Sequence, residues 1–187
     1  MEAKIERRAI PASVTEVVRA RPITAAAAAV AALGAATILG AWFFQYGLGY
    51  QPCPMCLQER FPYYFAIPLA VLVVLGEQVG ASRKVLLLAL LAIAAGMLWN
   101  AGFATYHAGV EWKLWEGPRD CTGNFAGLGA GGLLKQLQSI HVPRCDEAAW
   151  TFLGISLAGY DALISLMLAV IAGAGFWAGW KQQRVAE

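Results

Sequence analysis

Charged side chains are scarce in this sequence: Asp, Glu, Lys and Arg make up 14% of its 187 residues, against about 25% in ordinary soluble domains. A water-soluble globular fold is therefore a poor first reading. Net charge is as sparing, a formal +2 dispersed along the chain, which excludes a strongly basic nucleic-acid surface. No Gly-rich phosphate loop and no Ser/His/Asp arrangement occurs, so phosphoryl transfer and serine-type hydrolysis have nothing to build on. Internal repeats are absent, and only the first twenty or so residues form a polar tail. Histidine and cysteine are few as well, two and four residues respectively, and their placement becomes the main functional signal.

Apolar residues are abundant, 59% of the chain against roughly 45 to 50% in soluble domains, and membrane lipid is the first partner they imply. A bilayer core about 30 Å thick takes roughly 20 residues of helix. Four runs meet that length, at 23–46, 61–79, 85–106 and 157–180. Lipid offers no partner to an unpaired backbone group, so each run is expected to be a helix. The second is the weakest, with Pro68 inside it as an expected kink and its uninterrupted apolar stretch ending at Gly76. The first run is Ala-rich and follows Arg19 and Arg21, as a signal peptide would. A signal core spans only about 7 to 15 residues, whereas this run continues through Leu39, Trp42, Phe43 and Phe44. A retained anchor helix is the expectation. The predicted fold is an all-α, antiparallel four-transmembrane-helix bundle, with a polar segment 1–22 before it, a tail 181–187 after it, and loops 47–60 and 107–156 on one side.

Basic residues set the orientation. Lys4, Arg7, Arg8, Arg19, Arg21, Arg83, Lys84, Lys181 and Arg184 are nine of the fourteen, and all fall on the side of the termini. Both termini are predicted cytoplasmic. Cys53, Cys56, Cys121 and Cys145 then share the opposite side, an oxidising compartment in a bacterial cell, where disulfides form and persist.

Cys53-Pro54-Met55-Cys56 is a C-x-x-C, a spacing that interconverts between dithiol and disulfide and often lowers one thiol's pKa. Cys56 is placed at the start of the second helix, where the dipole favours a thiolate. Arg60 follows by four residues and is expected on the same face one turn deeper; snorkelling to headgroups or pairing with Glu59 is its bland alternative. Cys121 and Cys145 are separated by 23 residues, Gly123, Gly127, Gly129, Gly131 and Gly132 among them. That segment can fold back to bring the thiols into bonding reach, for a redox-active or a merely structural disulfide.

Leu133, Leu134, Leu137 and Ile140 recur at helical spacing beside Lys135, Gln136 and Gln138, which predicts a short amphipathic helix in the long loop, lying on the membrane or packed against the bundle. Zinc is the rival use of four cysteines with His107 and His141. Structural zinc sites bring two close ligand pairs, and only Cys53 and Cys56 are close here, so no metal is expected. His107, at the end of the third helix, is either an interfacial residue or a contact for a quinone ring at that depth. The tryptophans read as an aromatic belt, Asn100 as a hydrogen bond to a neighbouring helix, and Asp161 as an interface residue.

Four helices, a C-x-x-C with Arg60 four residues after Cys56, and a widely spaced cysteine pair in the second loop together resemble the disulfide bond formation protein B (DsbB) family. The resemblance extends from about Trp42 to Trp180 and includes Tyr106-His107-Ala108-Gly109-Val110-Glu111 and Trp150-Thr151-Phe152-Leu153-Gly154. It implies a bacterial inner-membrane thiol:quinone oxidoreductase, since the DsbA, DsbB and quinone chain keeps the periplasm oxidising. By the same resemblance Cys121 would form a mixed disulfide with a periplasmic, DsbA-like thioredoxin-fold dithiol oxidase, and Cys145 would exchange with Cys53. Cys56 would act as the thiolate toward ubiquinone, or menaquinone at low oxygen, with Arg60 on the quinone oxygen and His107 nearby. The Trp-rich, charged segment between Glu111 and Pro118 departs from better-known members, which leaves open a branch serving other partner oxidases. A vitamin K epoxide reductase-like enzyme places its active C-x-x-C late in the chain, so cysteine order favours the first family. The rival of another class is a non-catalytic scaffold with structural cysteines only; a small transporter has too few buried polar residues to line a path.

Overall fold

A computed structural model describes residues 16, 20–118 and 144–186. Helix α1 spans Pro22–Trp42 and opens on a proline, whose missing N–H costs nothing at a helix start. It runs into a single π-helical turn, Phe43–Gly47, a local widening of the kind that re-aims side chains at functional sites. Helix α2 is short, Pro54–Gln58, and α3 spans Phe61–Gln78. Between them the chain tightens: the Arg60 N–H bonds Leu57 O, three residues back, at 3.2 Å. Pro62 accounts for the break, because it has no N–H to continue the ladder to Gln58. Helix α4 spans Arg83–Glu111 and α5 spans Leu157–Ala186.

Four segments are long and apolar enough to cross a membrane, Pro22–Gly47, Pro54–Gln78, Arg83–Glu111 and Leu157–Val185. Two of these differ usefully from the runs counted by hydropathy. The second begins at Pro54, so Cys56 is part of the helical segment and Cys53 caps it, and the third continues past Tyr106 to Glu111. At 1.5 Å per residue that third helix is about 43 Å long. His107 therefore sits inside a helix, and Trp99, which faces outward at 76% exposure, stands well short of its end. The helices pack as a ring in the order α1, α3, α4, α5. Its core is Ile23, Ala27, Val30, Tyr63, Ala70, Leu90, Ile93, Met97, Leu168 and Ala172 with their neighbours, while Leu39, Phe43, Leu72, Leu88 and Val170 face outward, the pattern of a bundle solvated by lipid. Small residues allow the closest approach: a Cβ added to Gly175 would lie 2.3 Å from the Ala26 Cβ, so α1 and α5 meet almost backbone to backbone.

At one end of the ring, residues 79–82 join α3 to α4. At the other lie the α1–α2 connection, the π turn and the segment leading into α5. That segment contains a two-stranded hairpin, β1 Thr151–Phe152 and β2 Ile155–Ser156. Leu153 at φ 50° and Gly154 at φ 80° supply the two positive φ values of a type I′ turn. The hairpin is pinned by Ser156 Oγ donating to the Glu111 carboxylate and by Trp150, which packs edge-on to Phe44 at 5.0 Å between ring centres. The amphipathic helix expected around Leu133 to Ile140 lies outside the described residues, as do Cys121, His141 and most of 1–22.

Candidate functional site

Cys53 is the N-cap of α2: its backbone is extended, and its Sγ accepts the Cys56 N–H at 3.2 Å. The orphan donors of the helix start therefore fall on Cys53 rather than on Cys56, where the sequence had put the dipole's benefit. The two sulfurs are free thiols 2.6 Å apart. Cys53 is buried and Cys56 half-buried. The hydrogen bond from Cys56 holds the Cys53 thiol down, burial opposes this, and the imidazole of His107 adds to the lowering, so that Cys53 sits at about 5, well under the ordinary thiol value.

His107 reaches this pair from α4. Its Nε2 is 3.6 Å from Cys53 Sγ and its Nδ1 is 2.7 Å from Glu59 Oε1. Imidazole and carboxylate are 1% and 6% exposed, too little for water to substitute for either partner. Glu59 occupies the tightened turn between α2 and α3, which is why it points across to α4. Arg60, the next residue, turns the other way: its Nη1 donates to Gln45 Oε1 at 2.6 Å, and Gln45 belongs to the π turn. The bland pairing of Arg60 with Glu59 is thus replaced by two separate partnerships.

Cys145 completes the site. It is fully buried, packs with Cys53, Met55, Cys56 and Phe103, and is disulfide-bonded. Its bond is to neither Cys53 nor Cys56, which are free. The reactive atoms of Cys53, His107 and Cys145 all lie within 4.8 Å of one another. Three such residues could hold a metal in other circumstances, but a sulfur committed to a disulfide is not a thiolate ligand, and the trio suits sulfur exchange better. The loop bearing Cys145 is held by Asp146, which accepts from Lys113 Nζ at 2.7 Å and from Arg144; these cations keep its carboxyl well below the usual carboxylate range.

Deeper in the bundle a second polar cluster ties three helices together. The Tyr63 hydroxyl donates to Asp161 Oδ1 at 2.6 Å, and Asn100 Nδ2 donates to Asp161 Oδ2 at 3.0 Å and to Ser165 Oγ at 2.9 Å. Asn100 makes the interhelical bond expected of it. Asp161, expected at the interface, points inward instead, because two donors there satisfy a carboxylate that lipid could not.

Of the residues singled out in the sequence, Cys53, Cys56, His107 and Cys145 come together, Arg60 sits beside them with its head toward Gln45, and Cys121 falls outside the described residues. Glu59 and Gln45 were missed. An ionisable Glu at a membrane edge is itself a signal; Gln45 has none, since a π turn leaves no mark in composition.

An integral membrane protein with its sulfurs set for thiol–disulfide chemistry is the class these features define. Comparison makes it particular: the family model for Disulfide bond formation protein DsbB matches residues 23–175, and the chain belongs to that family, as a multi-pass membrane protein of disulfide bond formation. Among its relatives are an uncharacterised protein of Rickettsia prowazekii, 27% identical over 71% of this chain and 76% of its own length, and a Disulfide bond formation protein B of Albidiferax ferrireducens, 29% identical over 72% and 76%. A third, from Marinobacter nauticus and of the same name, is 30% identical over 70% and 78%. No solved structure matches the chain.

Proposed function

We propose that this chain is a bacterial inner-membrane thiol:quinone oxidoreductase that reoxidises a periplasmic DsbA-like dithiol oxidase and passes the electrons to ubiquinone, with menaquinone as the substitute at low oxygen. The observation that carries the reading is the meeting of the two cysteine pairs: a free dithiol at Cys53 and Cys56 has the disulfide sulfur of Cys145 within 4.8 Å of Cys53. The bias of basic residues supports a periplasmic position for this end and a cytoplasmic one for both termini.

The exchange proceeds by thiolate attack on sulfur. The partner's thiolate attacks Cys121 in a bond shared with Cys145, and the electron pair leaves on Cys145. Cys145 then attacks Cys53 in its oxidised bond with Cys56; a Cys53–Cys145 bond forms, the Cys53–Cys56 bond breaks, and the pair leaves on Cys56. Attack of the partner's second thiol frees Cys121, which reclaims Cys145 and leaves Cys53 and Cys56 reduced. A partner potential near −120 mV against about −300 mV for an ordinary structural disulfide makes the first transfer uphill by roughly 180 mV, or about 8 kcal/mol. A strained acceptor disulfide and a final electron sink together offset it.

The donor set fits a quinone at Arg60. One guanidinium N–H goes to Gln45, others remain of its five, and the half-buried Cys56 lies at the same membrane edge. A quinone bound there supplies a terminal acceptor of two electrons and two protons. Arg60 and Gln45 would hold its oxygen, the cation favouring negative charge as it develops. His107 would contribute packing only, because both its ring nitrogens are engaged. The test is absorbance loss of a soluble ubiquinone analogue on mixing purified protein with a reduced thioredoxin-fold dithiol. Reduction by the parent and not by Cys56→Ser is expected; inertness of the parent together with unreactive Cys53 and Cys56 thiols overturns the proposal.

A further inference from the structure

We propose that Glu59, His107 and Cys53 form a proton-handling triad for the sulfur exchange between Cys53 and Cys145, with His107 Nε2 as the proton acceptor and Glu59 as the residue that positions it. The inference rests on the exchange reading above and adds to it a base and its orienting residue.

The arrangement is that of nucleophile, base and orienting carboxylate. Glu59 Oε1 at 2.7 Å from Nδ1 accepts the Nδ1–H and leaves the lone pair on Nε2, which is 3.6 Å from Cys53 Sγ and within 4.8 Å of the Cys145 sulfur. Sulfur exchange needs a thiolate, yet all four groups are buried, at 4% exposure or less for the sulfurs and imidazole and 6% for Glu59. Among the described residues, little of any of the four is open to water that could take the proton. In the forward step Cys145, once protonated on leaving Cys121, gives that proton to Nε2, its sulfur bonds Cys53, the Cys53–Cys56 bond breaks, and the electron pair leaves on Cys56. In the return step Cys53 leaves as the thiolate and the same nitrogen gives the proton back. Other groups facing Cys53 do not compete for this task. Cys56 donates to it from α2, Glu111 on α4 is bonded to Ser156, and Arg60 is turned to Gln45.

The test reads the Cys53 thiol directly, in full-length protein reduced in detergent, by the rate of iodoacetamide alkylation at Cys53 against pH with the modified peptide quantified by mass spectrometry. In the parent the rate is expected to hold from pH 8 down to about pH 6. Glu59→Gln and His107→Gln are each expected to raise the midpoint by about one unit or more, a reaction roughly twofold slower at pH 6 and about fivefold slower at pH 5, and Glu59→Asp to restore part of the shift. An unchanged profile in Glu59→Gln overturns the triad, and this isosteric variant decides the matter even where His107→Gln does not fold. A purely structural Glu59 would lower the unfolding midpoint and leave the Cys53 profile in place, which also overturns it. Quinone reduction is scored separately: a parent that reduces no quinone defeats the proposed function while the alkylation profile still reads the triad.

Discussion

Two polar clusters are buried in this bundle, and they are built on opposite plans. Around Asp161 every donor and acceptor is a hydroxyl, amide or carboxylate, drawn from three helices, and each is matched within 3.0 Å. Around Cys53 the groups are a thiol pair, an imidazole and a carboxylate, with the sulfur-to-imidazole contact left at 3.6 Å and a disulfide sulfur close by. The first cluster has no group that changes covalent state and locks α3, α4 and α5 in register. The second sits where helices begin, break or end, and its sulfurs can trade partners. Burial of polar groups in lipid thus serves architecture when the set is closed and chemistry when one member can react.

Substitution should separate the two sharply. Cys53→Ser is expected to slow electron transfer to a ubiquinone analogue by about 10³-fold or more, because no Cys53–Cys56 disulfide remains for Cys145 to attack, with little change in the unfolding midpoint; a variant that keeps a tenth of the parent rate would break the contrast. Arg60→Ala should act next, raising the quinone KM roughly 10- to 100-fold through loss of a charge-assisted contact, while alkylation of Cys53 proceeds as before. Asp161→Ala is expected to do the reverse. Tyr63 and Asn100 lose their acceptor, at about 1–3 kcal/mol for two interhelical bonds in a membrane setting, read as a lowered denaturation midpoint in mild detergent with the rate per folded molecule retained.

The sequence made the sulfur end legible because its chemistry is written in residue types with few other uses: four cysteines, sorted to one side by apolar runs and basic flanks, and a C-x-x-C beside an arginine. Helix existence was equally plain, since twenty apolar residues have little alternative in lipid. Helix ends were not. Glu111 and Arg83 are charged and stand outside a hydropathy run, yet the helical ladder extends through both, and that extension moves His107 from a loop edge to the interior. Glu59 and Gln45 were hidden for a related reason. Their directions are set by the tightened turn before Pro62 and by the π turn at Phe43–Gly47, and a periodicity of 3.6 residues describes neither. Asp161 was misplaced because its partners, Tyr63 and Asn100, come from helices far away in sequence.

The smallest effect belongs to the loop that presents Cys145, and it sharpens the contrast by showing what pH does not do there. Asp146 is held below the ordinary carboxylate range by hydrogen bonds from Arg144 and Lys113, with 28% of its side chain exposed. A depressed folded-state pKa contributes stability that is complete above the unfolded value, about 3.9 for Asp, and is lost only as pH falls through the lower folded value. Between pH 5 and 8 this clasp is therefore constant, and a pH dependence of exchange in that window does not come from it. Exposure also makes the clasp weak and screened by salt. Asp146→Asn is expected to lower the fraction of Cys53–Cys145 bond trapped by acid quench less than about twofold at physiological ionic strength, with a larger loss at low salt; a strong loss that salt does not alter would mean that Asp146 acts on the sulfurs themselves.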